Sequence, residues 1–390
     1  MPRMRIGVTT FGCDGGKSGI GQYAIHLLRE LPAHQTGIEV EAMVHESERE
    51  IFVGSTPLLS ALCLDDRLKN PPMNLLWHQC ALPRWCKRRA YDVLFLPAAN
   101  RRIPAMVPCP TVGTVHDFSS IHMKGKYDPL RVFYITQVLP FLVRRLTRVI
   151  AVSESTKRDL VTFARVREER VTVIPHGVDL DRYFPRDPEA VRARVGSKYG
   201  LIPPYLLYIS RLEHPGKNHV RLIHAFERLK ATAGIPHQLV LAGSDWTRAE
   251  YVHRAAEASP YRRDIRFTGY APSEDLPDLY GGADLFVFPS LYEGFGMPLL
   301  EAMACAAPVA CSNVSSLPEV VGEAGALFDP HDEEAMAATI KEVLLNPGLR
   351  RHYVEKGLER VKHFTWRTTA ARTLEVILDA ARAHKKRSHV

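Results

Sequence analysis

Short apolar runs alternate with amphipathic stretches along almost the whole chain. In the first half, RIGVTTF (5–11), IEVEAMV (38–44), YDVLFLP (91–97), PTVGTVH (110–116) and RVIAVS (148–153) read as strands. Between them IGQYAIHLLREL (20–31), DPLRVFYITQVLPFLVRRL (128–146) and ESTKRDLVTFA (154–164) carry helical spacing. This alternation predicts a parallel sheet with helices on both faces. The pattern pauses over residues 171–204, a proline-punctuated stretch with few periodic apolar positions, which reads as a strand leaving the first domain followed by a linker. A second alternation then begins. Its strands are YLLYIS (205–210), HQLVLAG (237–243), DIRFTGY (264–270), ADLFVFPS (283–290) and PVACSN (308–313). Its helices are KNHVRLIHAFERLKATAG, WTRAEYVHRAAEAS, SEDLPDLYGG and MPLLEAMACA. Two similar α/β halves joined by a linker predict two doubly wound, Rossmann-like domains facing across a cleft, with ligands beyond the carboxyl ends of the strands.

Composition changes this picture little. The 390 residues suit two to three domains, and 46% hydrophobic with 24% charged residues are ordinary soluble values. No apolar run approaches the ~20 residues of a membrane helix. MPRMRIGVTT enters a strand-like pattern at once, without the apolar region of a signal peptide, so a cytoplasmic chain is expected. The seven cysteines are scattered, with no C-x-x-C pair; Cys80/Cys86 and Cys305/Cys311 are each six apart, which fits no common zinc spacing. They read as reduced thiols. The net charge of +8 is concentrated in RWCKRRA (84–90), FLVRRLTR (141–148) and AHKKRSH (383–389). Those clusters fit either solvated helix faces or a peripheral surface facing anionic lipid at the inner face of a membrane. The aromatic interleaving of a nucleic-acid binder is missing, so no nucleic-acid partner is expected.

Two stretches carry candidate chemistry. FGCDGGKSGIGQY (11–23) nearly matches two phosphate-binding motifs. As a P-loop it is one residue short, with three residues between Gly12 and Gly16 where four are needed. GIGQYA, from Gly19 through Gly21 to Ala24, fits a dinucleotide fingerprint, with Glu39 and Glu41 as its ribose-binding acids. The second stretch is DLFVFPSLYEGFGMPLLEAMACAAPVACSNVSSLPEVVGEAG (284–325). Here a buried strand runs into a loop that Gly294 and Gly296 allow to turn tightly, then into a helix with Pro298 as its first residue. The N–H groups and dipole of that helix start offer a seat for a diphosphate. Glu293 and Glu301, eight residues apart, can each accept two hydrogen bonds from a vicinal diol, one from a ribose and one from a hexose.

Taken together these segments resemble the retaining glycosyltransferases of family 4, which have the GT-B fold, over nearly the whole chain. EGFGMPLLEAMACAAPV resembles the family's E-x7-E segment, and SNVSSLPEVVGEAGALFDP resembles the stretch just after it. ISRLEHPGKNHVRLIHAF is similar to the strand, loop and helix carrying the phosphate-binding Arg and Lys, here Arg211 and Lys217. AVSESTKRDL and VTVIPHGVDLDRY resemble the end of the first domain and the crossing, with His176 where Asn is commoner. By this resemblance Glu301 binds the nucleotide ribose and Glu293 the transferred sugar, while Arg211 and Lys217 neutralise the departing diphosphate. The backbone at Gly294, Phe295, Gly296, Met297, Pro298 and Leu299 lies along the donor. Gly269 and Tyr270 in RFTGYAP resemble the nucleobase turn, and His116 in TVHDF the histidine against the donor sugar, with Asp117 orienting its ring or capping a turn. FTWRTTAARTLEVILDAARA (364–383) resembles the terminal helix that crosses back to the first domain. The expected boundaries are therefore 1–180 for the acceptor domain, 181–363 for the donor domain and 364–390 for the crossing helix.

The resemblance implies a hexosyltransferase acting with retention by front-face substitution, the leaving phosphate accepting the acceptor's proton. No D-x-D segment sits in a metal-binding context, so no metal or other cofactor is expected. GIGQY and VHDF are similar to bacterial mannosyl- and related transferases of cell-surface polysaccharides. GDP-mannose is thus the expected donor, with UDP-hexoses as the alternative, and a glycan or lipid-linked glycan the acceptor. A nucleotide-sugar epimerase, a dinucleotide oxidoreductase resting on GIGQYA, and a non-catalytic sugar-nucleotide sensor are the competing readings. In the transferase reading, Gly19 and Gly21 let the backbone pass close to the donor, Lys17 is a candidate phosphate contact, and the loop before them serves as a lid.

Overall fold

The computed structural model of the chain describes residues 3–31, 37–123 and 132–388. The start of the expected helix at 128–131 and the end of the basic tail cluster lie outside the described residues, as do the side chains of 385–390. The chain forms two compact units. One takes the chain up to Ile121, the stretch ending at Gly177 and the helix beginning at Trp366; the other is built on Val178–Thr365.

The first unit carries seven strands: β1 (Met4–Thr9), β2 (Ile38–His45), β3 (Leu59–Leu64), β4 (Val93–Leu96), β5 (Thr111–Val115), β6 (Arg148–Ala151) and β7 (Val171–Val173). They pair in parallel in the order β3-β2-β1-β4-β5-β6-β7, with Ile6 set between Val40 and Val93. Strands β4 and β5 are buried along their whole length, as an inner strand covered on both faces must be. The direction of winding reverses between β1 and β4, so the loops after those two strands diverge and leave room for a ligand.

Helix α1 (Gly19–Glu30) comes after β1; the Ser18 side chain caps it by accepting from the Gly21 N–H at 3.3 Å. The apolar pattern does not predict strand β3. It lies at the sheet edge and alternates buried with exposed positions, so its apolar run is diluted. Nor does the pattern predict helix α2 (Pro71–Arg89), because its buried stripe is Asn74, Trp77, His78, Leu82 and Cys86 rather than aliphatic. Its start is well marked: Asn70 caps the Met73 N–H and prolines occupy the first positions. The expected helix at 128–146 is observed from residue 132 as a π-turn over Tyr134–Val138 and a short helix at Leu139–Val143.

The second unit repeats the architecture with six parallel strands: β8 (Tyr205–Ile209), β9 (Gln238–Ala242), β10 (Ile265–Gly269), β11 (Leu285–Phe288), β12 (Val309–Ser312) and β13 (Gly325–Phe328). Their order is β10-β9-β8-β11-β12-β13, so the switch falls between β8 and β11, which pair through Leu206↔Leu285 and Leu207↔Phe286. The stretch expected to be a linker contains helix α3 (Pro188–Tyr199). Asp187 caps it, Pro188 opens it and left-handed Gly200 closes it, but only Val191 and Val195 are buried, too few to show a period. Helix α4 (His219–Ala233) comes after β8, α5 (Leu276–Gly281) precedes β11 and α6 (Met297–Ala304) succeeds it. Pro298 is therefore the second residue of α6 rather than the first.

The last helix, α7 (Trp366–Ser388), belongs to the first unit. It packs on α1 and on β4, β5 and β6. Ala370, Leu374 and Ile377 are buried, and Arg148 pairs with Asp379 at 2.8 Å.

Candidate active site

The switch point of the second unit places two loops side by side. The loop after β8 runs through Arg211 to Lys217, and the loop after β11 runs through Glu293 to Gly296. Hydrogen bonds stitch them together: the Leu291 N–H donates to Gly216 O at 3.0 Å, and the Asn218 side chain donates to Pro289 O at 3.0 Å and Pro330 O at 2.8 Å. Asn218 adopts φ +60°, a conformation asparagine tolerates, and so turns the chain into α4.

Across this seam the Lys217 ammonium donates to Glu293 Oε1 at 2.6 Å. Burial opposes the Lys217 charge, but Glu293, with Tyr208 and Glu213, outweighs it and holds the pKa above the ordinary lysine value. Lys217 is thus a fixed cation. Arg211 is exposed, and its guanidinium lies 4.8 Å from the centre of the Trp246 ring, itself 54% exposed. The loop carrying Trp246 is held by its N–H to Leu212 O at 3.0 Å.

The Glu293 loop is latched by two serines. Ser315 Oγ accepts from the Glu293 N–H at 3.0 Å, and the Ser316 hydroxyl faces Glu293 O at 2.9 Å and Phe295 O at 2.8 Å. Gly296 has φ +109°, and a Cβ there would meet Leu317 Cδ2 at 2.8 Å, so any side chain at this position would be strained. Met297 and Pro298 are half-buried, whereas the Phe295 and Leu299 side chains are buried. Those two shape the loop from beneath, and only their backbones can lie along a ligand. Glu301, on α6, accepts the Tyr280 hydroxyl at 2.8 Å. Gly269 has φ +66° and its carbonyl accepts from the Gly243 N–H at 2.8 Å, leaving Tyr270 69% exposed at the end of β10.

In the first unit His116 closes β5. It is buried, its Nε2 bonds Pro97 O at 2.7 Å, and its ring meets Tyr23 edge-on at 4.9 Å and His176 at 5.3 Å. Burial lowers its pKa to about 4, so the ring is neutral at physiological pH. Asp117 caps the next turn, accepting from the Ser119 N–H at 3.1 Å and its hydroxyl at 3.0 Å. His176 stacks with Trp366 in the same aromatic cluster.

The glycine loop is held by local contacts: residues Asp14–Gly16 form a 3-10 turn, Cys13 is fully buried, Arg101 donates to Gly12 O at 2.8 Å and Gln22 to Gly16 O at 2.7 Å. A Cβ on Gly21 would collide with Cys13 O and with Gly16, so this glycine admits the loop backbone against α1. Gly19 and Lys17 are exposed. Glu39 and Glu41 sit near the start of β2, the end away from a dinucleotide; Glu39 pairs with Arg3 and Arg5, and Glu41 accepts the Tyr91 hydroxyl. Neither Glu39 nor Glu41 is therefore placed as the ribose-binding acid of a dinucleotide fingerprint. Ser315, Ser316, Tyr280, Asn218 and Trp246 join the site without a motif of their own to announce them. Asn218, Ser315 and Ser316 at least lie inside the motif-bearing segments, whereas Tyr280 and Trp246 lie in stretches read only as helices. Among the described residues, no group of three or more His, Cys, Asp or Glu is placed to hold a metal.

Two doubly wound parallel sheets, with cations and carboxylates on the switch-point loops of the second, define the GT-B class of transferase. The solved structure of Anabaena Alr3699/HepE in complex with UDP and glucose shares this fold, with a TM-score of 0.75, 19% identity and coverage of 97% of this chain and 100% of that one. WaaG, a glycosyltransferase involved in lipopolysaccharide biosynthesis, does so with a TM-score of 0.70, 16% identity and coverage of 96% and 99%. Residues 17–182 match the glycosyltransferase family 4 model, and residues 198–360 the model of glycosyl transferases group 1. The O-antigen chain mannosyltransferase B of Escherichia coli is 31% identical over 370 residues, covering 92% of this chain and 95% of that one. The serotype-specific mannosyltransferase WbdA of Escherichia coli is 34% identical over 286 residues, 72% of this chain but only 34% of WbdA's own length. The chain belongs to glycosyltransferase family 4, and it is a hexosyltransferase, as the resemblance in its motifs implies.

Proposed function

We propose that the enzyme transfers mannose from GDP-mannose, with retention, to a glycan or lipid-linked glycan during cell-surface polysaccharide synthesis. The observation that carries the chemistry is the Lys217–Glu293 pair at 2.6 Å across the β8 and β11 loops. It sets a fixed cation beside a carboxylate at the strand ends where a donor binds. The likeness to O-antigen chain mannosyltransferase B supports mannose as the sugar and a polysaccharide as the product.

In this reading Glu301 holds the ribose, Glu293 the mannose hydroxyls, and Lys217 and Arg211 the diphosphate. As the anomeric bond breaks, negative charge grows on the diphosphate, and preoriented cations stabilise that charge more than the ground state. The acceptor hydroxyl attacks the same face and gives its proton to the leaving phosphate oxygen. With the cations supplied by side chains, no metal is required. Incubation with GDP-mannose, GDP-fucose, UDP-glucose and UDP-galactose, monitored by nucleoside diphosphate release, tests this. Release from GDP-mannose that Glu293→Ala abolishes is expected. No response to any donor, or a Glu293→Ala variant equal to wild type, refutes it.

The acceptor side also suits an anionic membrane surface. Helix α2 has no acidic residue; it exposes Met73, Leu75 and Leu76 near its start and Arg84, Lys87 and Arg88 near its end. Among the described residues no helix is long and apolar enough to cross a membrane. Co-sedimentation with phosphatidylglycerol vesicles, lost on substituting Arg84, Lys87 and Arg88 by glutamate, is the expected result. Equal sedimentation of both forms contradicts this contact.

A further inference from the structure

The turn after β7 carries a residue that the proposed chemistry leaves without a role. Asp179 folds the turn by accepting from the Asp181 N–H at 3.2 Å through its side chain and from the Tyr183 N–H at 2.8 Å through its carbonyl. That geometry delivers Tyr183, 5% exposed, into the same unit as Tyr280, which is fully buried on α5. The two rings meet edge to face with centroids 6.2 Å apart, and Tyr280 is braced from behind by Phe286 at 5.1 Å. Both hydroxyls converge on one carboxylate. Tyr280 donates to Glu301 Oε2 at 2.8 Å, and Tyr183, packed edge-on against Tyr280, places its hydroxyl beside the same carboxylate.

Glu301 needs this support. It projects from the buried α6, where desolvation penalises its charge, and the cation that acts on it is Arg182. A carboxylate that must accept from a ligand diol has to stay ionised and keep one rotamer. Two phenols whose own ionisation is suppressed by burial serve both needs, Tyr280 through its hydrogen bond and Tyr183 through its place beside the carboxylate. The rings also leave the carboxylate few alternative orientations.

We propose that Tyr183 and Tyr280 are positioning residues that hold Glu301 ionised and aimed at the ribose of the nucleotide, so that preference for a ribonucleotide depends on two tyrosine hydroxyls that never touch it. This rests on the assignment of Glu301 to the ribose. The clamp joins three separate segments, the turn after β7, α5 and α6, so it forms only when the unit is folded.

The test uses the full chain and isothermal calorimetry with GDP, UDP and their 2′-deoxy counterparts. The wild type is expected to bind one ribonucleotide about tenfold tighter than its 2′-deoxy form, the scale of one hydrogen bond to a charged group. Tyr280→Phe, Tyr183→Phe and the double variant should shift that ratio stepwise towards one, while 2′-deoxynucleotide affinity stays within about twofold of wild type. A purely structural role would instead weaken both nucleotides equally, and that result overturns the proposal. Melting curves identify any variant that fails to fold, and Tyr183→Phe, at the less buried position, provides the independent reading. Glu301→Gln separates the two layers. If it keeps the wild-type ratio, Glu301 does not hold the ribose and that assignment fails. If it collapses the ratio while the tyrosine variants do not, the positioning role alone fails. Binding of neither GDP nor UDP overturns the proposed function itself.

Discussion

Replacing Lys217 by methionine removes a charge while keeping most of the side-chain volume, and the consequences for folding and catalysis should separate. The side chains of Lys217 and Glu293 are 20% and 17% exposed, with 2.6 Å between the charged atoms. An exposed ion pair contributes roughly 0–1 kcal/mol, whereas stranding one partner of a buried pair costs about 3–5 kcal/mol. This pair lies between those limits, so Lys217→Met should destabilise the chain by about 2 kcal/mol, as should Glu293→Gln. The double variant strands neither charge and should lose less than about 1 kcal/mol, a coupling of about 3 kcal/mol. Turnover should behave otherwise. Loss of one preorganised group facing developing charge costs about 100- to 1,000-fold in rate, and the double variant still lacks the cation. Urea denaturation of the four proteins gives the stability cycle, and nucleoside diphosphate release gives the rates. Additive stability losses would show that the pair is not coupled. Recovery of turnover in the double variant would refute the role of Lys217 as the diphosphate cation.

Titration of the buried groups and the Arg211 platform yield further expectations. Desolvation raises the Glu301 pKa above the ordinary glutamate value of 4.5, so ionising it costs folding free energy as pH rises from there through the folded value. Glu301→Gln should therefore melt higher than wild type at pH 7 and show no gain at pH 4; a lower melting temperature at pH 7 contradicts this. His78 and His116, with pKa values lowered to about 4, His219, lowered to about 3, and His176, well below 6.5, are neutral in the fold and protonate on unfolding. Stability should fall as pH drops from 6.5 towards 4, each histidine adding up to about 1.4 kcal/mol per pH unit; a flat profile across that window rules this out. Trp246→Ala should raise the donor KM about two- to fivefold by freeing Arg211, with Trp246→Phe nearer wild type. Unchanged KM in Trp246→Ala would show that the cation–π contact does not hold Arg211 in place.

The inner strands are legible in the sequence because burial on both faces leaves uninterrupted apolar runs, as in VLFL of β4 and LFVF of β11. The edge strand β3 and helix α3 are not, since each buries only a few apolar side chains. In the site, Lys217 and Glu293 stand out through their motifs, yet their direct pairing belongs to the β8–β11 neighbour relation, which spacing along the chain does not encode. The loop FGCDGGKSG shows the opposite error. Its glycines suggest phosphate contact, and Gly21 just after it suggests close approach to a donor, but Gly21 is small because Cys13 and Gly16 lie against it. Nor does any local pattern reveal that Tyr183 and Tyr280, 97 residues apart, share one carboxylate.

The membership of α7 in the first unit has a consequence for how the protein is made. Nearly all of the second unit is one stretch, Val178–Thr365, so it can finish folding as soon as those residues have left the ribosome. The first unit cannot, because the helix that covers β4, β5 and β6 is synthesised only after the whole of Val178–Thr365. During translation the β-sheet made first waits with an apolar face uncovered while the later unit folds. A chain that stops just before Trp366 therefore leaves the sheet of the first unit uncovered, while the second unit has all of Val178–Thr365.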